Sequence, residues 1–422
     1  MNITQNHPAY DRLPKRLTIA FPIWGLYDID GKGFYADTDK IVREHVERGF
    51  NCMRLDSGAG LMHDINGKPR GKVKIGNAFS QYDKFPRQLD AIGGEGYCDV
   101  LQRIINLATS CKKHGVYLIL SSWYYLHTYW ICHDETINSE LFNIPEEERF
   151  MAFAKFLHYI ISELKARNLA DVIAYAEIFN EVDGLYFVTD EVPESFTDEK
   201  IAVFRKWHEE AIDYLRQMHP DILFAYDESK NIADLRLAPE NADVFSFHSY
   251  YLWSIYSKVA ESSPDCFNSS TTTNDIMKAH TNYHAEIAKS SILWFEMLSR
   301  FVGLKPEKIP TFEARLEQTL IKDYEYYRDN AFAFIETVRK LRKANPNIRI
   351  VSGEGGSYIA SKKLLWEEHS EIAWDLMEEV VRKYRDEGLW GTVIRTCMGP
   401  EDPAWHLMPE KILKINRMFL GE

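Results

Sequence analysis

Two glutamates stand where apolar runs give way to glycine-containing loops. Ile178-Phe179-Asn180-Glu181 closes a run that starts at Asp171 and leads into Val182-Asp183-Gly184, and Ser352-Gly353-Glu354-Gly355-Gly356 closes a run that starts at Ile348. In a barrel of parallel strands, that is the face where reacting groups collect. Two carboxyls held about 5 to 5.5 Å apart can cleave an acetal, one attacking the anomeric carbon while the other protonates the leaving oxygen. Their surroundings must then hold them in different protonation states.

The elements that must position such a pair can be read from hydrophobic periodicity. Short apolar runs at Leu17 to Trp24, Asn51 to Leu55, Val116 to Ser122, Val172 to Phe179, Ile222 to Tyr226, Asp243 to His248, Ile348 to Ser352 and Trp390 to Thr396 predict eight buried strands. Segments with helical spacing separate most of them: Asp39 to Gly49, Tyr97 to His114, 146 to 168, Asp198 to Met218, Phe312 to Lys343 and Leu364 to Gly388, with Pro409 to Phe419 closing the chain. Since each parallel strand needs a crossover, this order predicts an α/β (β/α)8 TIM barrel. An open doubly wound sheet is disfavoured, because the first turn, Trp24 to Phe34, lacks a GxGxxG loop and no GxxxxGK[ST] is present.

Two connections are too long for a simple barrel. Asp56 to Gly96 follows strand two, is rich in glycine and basic residues, and is expected over the barrel mouth. After strand six, residues 251–310 hold a Ser/Thr-rich patch and a helical stretch over 276–301, an expected inserted helical lid or side wall within one elaborated domain spanning 1–422. On this reading Glu181 ends strand four and Glu354 ends strand seven, across the mouth from each other.

Composition bounds the function. At 422 residues, 45% hydrophobic and 13% aromatic, the chain can bury a large core. A formal charge of -13, spread along helices, argues against nucleic acid or anionic membrane as partner. The polar stretch Met1 to Arg16 lacks the apolar segment of a signal peptide, and the six cysteines are scattered without CxxC pairs, so reduced thiols and a cytoplasmic location are expected. His127, His133, Asp134 and Glu135 lack the spacing of a metal site, and neither a metal nor a cofactor is expected.

The motifs carry a resemblance. Glu177-Ile178-Phe179-Asn180-Glu181 resembles the strand-four signature of the clan A glycoside hydrolases, above all their cellulase-like family five branch, and Gly353-Glu354-Gly355 is similar to the strand-seven motif. Phe247-His248-Ser249-Tyr250 resembles the strand-six His-x-Tyr element, and Met53-Arg54-Leu55 the strand-two arginine. The resemblance implies a retaining glycosidase without cofactor, acting on oligosaccharides or glycosides, with Glu181 as acid/base and Glu354 as nucleophile. It further implies that Asn180 binds the sugar 2-hydroxyl, that Arg54 keeps Glu354 ionised, that Tyr250 hydrogen-bonds the nucleophile, and that His248 forms a polar wall.

The pattern also departs from that family. Trp123 follows strand three where a histidine is usual, and strand eight runs Ile394-Arg395-Thr396-Cys397 without the usual tryptophan, which leaves Trp405 as its substitute. Trp24, Trp123, Tyr124, Tyr125, Trp130 and Trp405 fall at or after strand ends, where aromatic planes can stack on the apolar faces of sugars. Taken singly, the same residues have plainer roles: Arg54 as an ion-pair partner of Asp56, His248 and Tyr250 as buried barrel residues, and Glu228 as a spare acid that could replace either glutamate. The alternative function is a non-catalytic or weakly active sugar-binding protein on the same barrel. Oligomeric state is not legible.

Overall fold

The computed structural model describes residues 7–422 except 24, 30, 32, 77–94, 124–130, 184–195, 230–234, 269–302 and 357–363. Eight parallel strands close into a barrel in chain order: β1 (Leu17–Ala20), β2 (Cys52–Asp56), β3 (Tyr117–Ser121), β4 (Ile173–Glu177), β5 (Phe224–Glu228), β6 (Val244–Ser249), β7 (Arg349–Gly355) and β8 (Gly391–Val393), with β8 pairing back onto β1. The strands are buried almost throughout, which is why they read as unbroken apolar runs rather than alternating ones.

Helices surround the barrel: α1 (Thr38–Glu47), α2 (Val100–His114), α3 (Arg149–Ala166), α4 (Asp198–Met218), α5 (Trp253–Glu261), α6 (Ile309–Lys322), α7 (Tyr324–Phe332), α8 (Phe334–Ala344), α9 (Glu371–Asp386) and α10 (Pro409–Leu420). Four of these starts, those of α1, α2, α4 and α9, carry a side-chain cap. Asp37, Asp99, Thr197 and Ser370 each accept a hydrogen bond from a backbone N–H of the first turn. No helix among the described residues is long and apolar enough to cross a membrane.

Inside the barrel the layers change character along the strand direction. Leu17, Ile19, Cys52, Ile119, Ala174, Leu223, Ala225, Val244, Val351 and Val393 fill the lower interior, and Ala9 and Leu13 of the N-terminal segment pack into the same cluster. Arg12 holds that segment in place, its Nη1 donating to the carbonyls of Asp171 and Ile173 at 2.8 and 2.7 Å. One or two inward positions further along the strands, the side chains turn ionic: Arg54, Glu177, Asp227 and His248. The floor is sealed and apolar, so the charged layer faces the mouth.

The structure moves several boundaries. Tyr97, expected to open the second helix, instead lies in a strand Gly96–Cys98 that pairs antiparallel with Val73–Ile75, and α2 starts only after its Asp99 cap. The predicted helix over Phe312 to Lys343 is three helices; the first break falls at Asp323, whose carboxylate pairs with Lys258 of α5 at 2.7 Å. Of the predicted insertion 251–310, α5 and the turn Pro264–Cys266 are described, whereas the expected helix over 276–301 lies outside the described residues.

Candidate active site

Arg54 is the hub of the mouth. Projecting inward from β2 and fully buried, its guanidinium donates from Nη1 to Glu354 Oε1 at 2.7 Å and from Nη2 to Glu177 Oε2 and Asn180 Oδ1, each at 2.7 Å, and to Asp227 Oδ2 at 3.2 Å. It thus ties together groups from β4, β5 and β7. Asp56 is not its partner: that carboxylate accepts from Tyr27 Oη at 2.8 Å and from the Gly58 N–H at 3.1 Å.

Glu354 reaches the interior through a bulge. Phe247 pairs with Ser352 and His248 with Glu354, so Gly353 is the extra residue on β7. Val351 faces the barrel interior, and in a regular strand Glu354, three positions on, would face outward with Ser352; one inserted residue reverses that. The bulge requires glycine, because a Cβ at position 353 would collide with Ser246 Oγ and lie 3.6 Å from both Arg54 Nε and Asp227 Oδ2.

Glu181 is held differently. β4 stops at Glu177, two residues before the predicted end, and the following backbone is hung from the neighbouring strands. The Asn180 N–H donates to Ser122 O at 3.0 Å, the Glu181 N–H to Asp227 Oδ1 at 2.7 Å, and the Val182 N–H to Asp227 O at 3.2 Å. Glu181 itself adopts φ 52°, a left-handed conformation that residues other than glycine seldom take. Its side chain is 22% exposed, against 5% for Glu354.

His248 and Tyr250, from β6 and the residue after it, lie between the two glutamates. His248 Nδ1 is 2.8 Å from Glu181 Oε1, and its Nε2 is 3.1 Å from Asp227 Oδ2 and 3.5 Å from Glu354 Oε1. Tyr250 Oη donates to Glu354 Oε2 and lies 3.5 Å from Glu181 Oε1. An oxygen of Glu181, a nitrogen of His248 and an oxygen of Glu354 all fall within 4.8 Å of one another.

Charge follows from this packing. Burial opposes a charged ring at His248, but Asp227 and Glu354 outweigh it and raise it well above its ordinary value, so the ring is an imidazolium. Burial would also raise Asp227, yet His248 and Arg54 bring it down to about 2. Glu177 goes the other way, pushed by burial up to about 7 despite Arg54. Burial, with a smaller push from Glu181, raises Glu354 against the pull of His248 and Arg54. A metal ion on Glu181, His248 and Glu354 would need a neutral imidazole, which Asp227 and Glu354 oppose.

The mouth therefore brings together Glu181, Glu354, Asn180, Arg54, His248 and Tyr250. Trp123 joins them in another way than expected: only 4% exposed, its ring lies 4.6 Å from the Arg54 guanidinium and packs against Phe21, so its face covers an arginine instead of waiting for a sugar. Trp405 is not at the mouth. It is fully buried between α1 and Phe50, stacked 5.9 Å from the Phe50 ring with Arg48 on its face, and so offers no surface to a ligand. Trp24, Tyr124, Tyr125, His127 and Trp130 lie outside the described residues.

Asp227 is the site residue that sequence reasoning missed; its neighbour Glu228 drew attention instead. Alternation was the available signal. Ala225 faces the barrel interior and Tyr226 the helix layer, so Asp227 must point inward and Glu228 outward.

Residues 23–304 match the model of a family described as sugar-binding cellulase-like, a stretch that includes every mouth residue above except Glu354. No curated protein matches the sequence. Among solved structures, a candidate glycoside hydrolase from Parabacteroides distasonis superposes with a TM-score of 0.67 at 17% identity, over 96% of this chain and 93% of that one. An endo-beta-mannanase/endo-beta-glucanase of Prevotella bryantii gives 0.52 at 13% identity, over 98% of this chain and 49% of that one. A glycoside hydrolase family 5 enzyme of the same organism, solved with a xyloglucan tetradecasaccharide, gives 0.50 at 12% identity, over 97% and 98%. At such identities the likeness is one of fold.

Proposed function

This chain belongs to the sugar-binding cellulase-like family, and on that premise we propose that it is a retaining glycoside hydrolase acting on oligosaccharides or glycosides by double displacement. The observation that carries the reading is the approach of Glu181 and Glu354 oxygens to within 4.8 Å, both in contact with Tyr250 Oη. Retaining enzymes hold their carboxyls about 5 to 5.5 Å apart, whereas inverting ones leave roughly 6.5 to 9.5 Å for a water. The short distance favours direct attack by a carboxylate.

In the first step a Glu354 oxygen forms a bond to the anomeric carbon as the bond to the leaving oxygen breaks, and that oxygen takes a proton from Glu181. In the second, Glu181 takes a proton from water, the water oxygen bonds the anomeric carbon, and Glu354 departs as carboxylate. Glu181 suits both roles: Oε1 faces His248 and Tyr250, while Oε2 has no hydrogen-bond partner among the described residues and is open to a leaving group. Asn180 keeps Nδ2 without a partner among the described residues while Oδ1 is fixed by Arg54, so it can donate to a sugar hydroxyl. α5, the described start of the insertion 251–310, sets Trp253 against the Tyr250 ring and would wall one side of the mouth within a single domain.

Hydrolysis of an aryl glycoside panel tests this. Wild type should cleave at least one sugar, and Glu181→Ala should lose ~10² to 10⁴-fold on poor leaving groups. Added azide should rescue both Glu181→Ala and Glu354→Ala, yielding a glycosyl azide of retained configuration from the first and inverted configuration from the second. Binding of sugars without cleavage by wild type would instead favour a sugar-binding protein on this barrel.

A further inference from the structure

The double displacement leaves two buried carboxyls at the heart of the site, Glu177 and Asp227, without a task. Asp227 is fully buried, one residue before the end of β5, and both of its carboxylate oxygens are engaged by protein donors. Besides the Arg54 guanidinium at 3.2 Å, its contacts converge on one residue, Glu181. Oδ1 accepts the Glu181 N–H at 2.7 Å, and its own carbonyl accepts the Val182 N–H at 3.2 Å, so Asp227 clamps the peptide units on both sides of Glu181. Oδ2 faces His248 Nε2 at 3.1 Å, and the other nitrogen of that ring lies 2.8 Å from Glu181 Oε1.

Backbone and side chain of Glu181 are thus both fixed from Asp227, the first directly and the second through an imidazole. The left-handed φ of 52° at Glu181 is the kind of conformation that persists only when its surroundings over-determine it. The two N–H contacts supply that determination. We propose that Asp227 is the positioning residue of the acid/base: it holds the Glu181 backbone in its left-handed turn and keeps His248 as a two-proton donor whose Nδ1–H fixes Oε1, which leaves Oε2 as the oxygen that carries the proton to and from substrate.

The inference rests on the glycosidase reading for its catalytic half and on geometry alone for its structural half. The charged and titratable groups facing Asp227 are Arg54 from β2, Glu177 and Glu181 from and beyond β4, His248 from β6 and Glu354 from β7. Of these, the two cations dominate at Asp227, consistent with an aspartate that stays ionised. A neutral amide in its place can accept from only one of Glu181 and His248.

The test is Asp227→Asn, read in two ways. First, kcat/KM, which reports the glycosylation step, is measured across aryl glycosides of graded leaving-group ability. Asp227→Asn should lose ~10²-fold or more on phenyl glycosides, which need a proton, and under ~10-fold on dinitrophenyl glycosides, which do not. Second, nitrogen-15 NMR of the histidines should show both His248 nitrogens protonated at neutral pH in wild type and one of them deprotonated in Asp227→Asn. Equal losses on all leaving groups, or a His248 signal unchanged by the substitution, would overturn the proposal.

The NMR arm does not depend on turnover. If wild type cleaves no glycoside while His248 responds to Asp227→Asn, the glycosidase reading falls and the clamp stands. Should Asp227→Asn not fold, His248→Asn keeps a donor near Glu181 but cuts the link to Asp227. It should show the same leaving-group dependence, and uniform losses there would count against the clamp.

Discussion

A single hydroxyl touches both glutamates of the mouth: Tyr250 Oη donates to Glu354 Oε2 and lies 3.5 Å from Glu181 Oε1. Its proton stabilises the charged form of Glu354, the form that attacks, and so works against the burial that raises that carboxyl. Without the donor, Glu354 should ionise at higher pH. Tyr250→Phe is therefore expected to lower kcat/KM about 10- to 100-fold, the worth of a hydrogen bond to a charged group, and to move the acidic limb of its pH profile upward. A profile on an activated aryl glycoside would check both.

Glu181→Gln should move the same limb the other way. Burial is the main cause that raises Glu354, but the neighbouring charge of Glu181 adds to it, and a neutral amide removes that repulsion. The nucleophile then ionises at lower pH. On a dinitrophenyl glycoside, which needs no acid, kcat/KM of the variant should persist further into acid than that of wild type, and an unshifted limb would show that the two carboxyls do not sense each other.

The barrel was legible in the chain because buried strands follow from short-range pattern, whereas the mouth was legible through motifs at strand ends that resemble those of a known family. All eight strands fall on apolar runs, since a strand buried on both faces must be apolar. Glu181, Glu354, Arg54, His248 and Tyr250 meet because strand ends are where a barrel collects side chains. What escaped depends on the third dimension. Trp405 follows β8 in sequence, but its loop folds back onto α1, and nothing in the local residues announces that Phe50 and Arg48 will sandwich it. Arg395, in place of a strand-eight tryptophan, is tied into a buried set of Glu367 and Glu368, from the short helix Trp366–His369, and Asp402, seven residues on at the cap of the helix Pro403–Leu407.

The stability that Glu177 contributes should fall as the solution passes from mild acid to neutral. Burial raises Glu177 from its ordinary 4.5 to about 7, so between these values the folded chain keeps a proton that the unfolded chain has released. Folding is favoured by that proton below about 4.5 and loses the advantage as pH rises through about 7. Asp56, also raised by burial to about 7, acts in the same direction, whereas Asp227, lowered to about 2, changes only in strong acid. By linkage these shifts correspond to at most ~3 kcal/mol for Glu177 and ~4 kcal/mol for Asp56. The Tm advantage of wild type over Glu177→Gln should shrink from pH 5 to 8, a comparison that cancels the opposite trend set by the buried neutral His45, His208 and His219; a difference that does not change with pH would remove Glu177 as a cause.

The bulge at Gly353 makes the sharpest steric prediction. A methyl there meets Ser246 Oγ first, and the guanidinium of Arg54 and the carboxylate of Asp227 close behind it leave little room to retreat. Overpacking of this kind costs ~1 to 3 kcal/mol, and the strain falls on the residue before Glu354. Gly353→Ala should therefore lower both Tm and kcat. Because the first obstacle is one hydroxyl, Ser246→Ala should relieve it: the double variant Gly353→Ala/Ser246→Ala is expected to be more stable than Gly353→Ala alone, with a coupling of about 1 kcal/mol or more between positions in direct contact. Additive losses in the double variant would mean that the bulge tolerates a side chain and that glycine is present there for another reason.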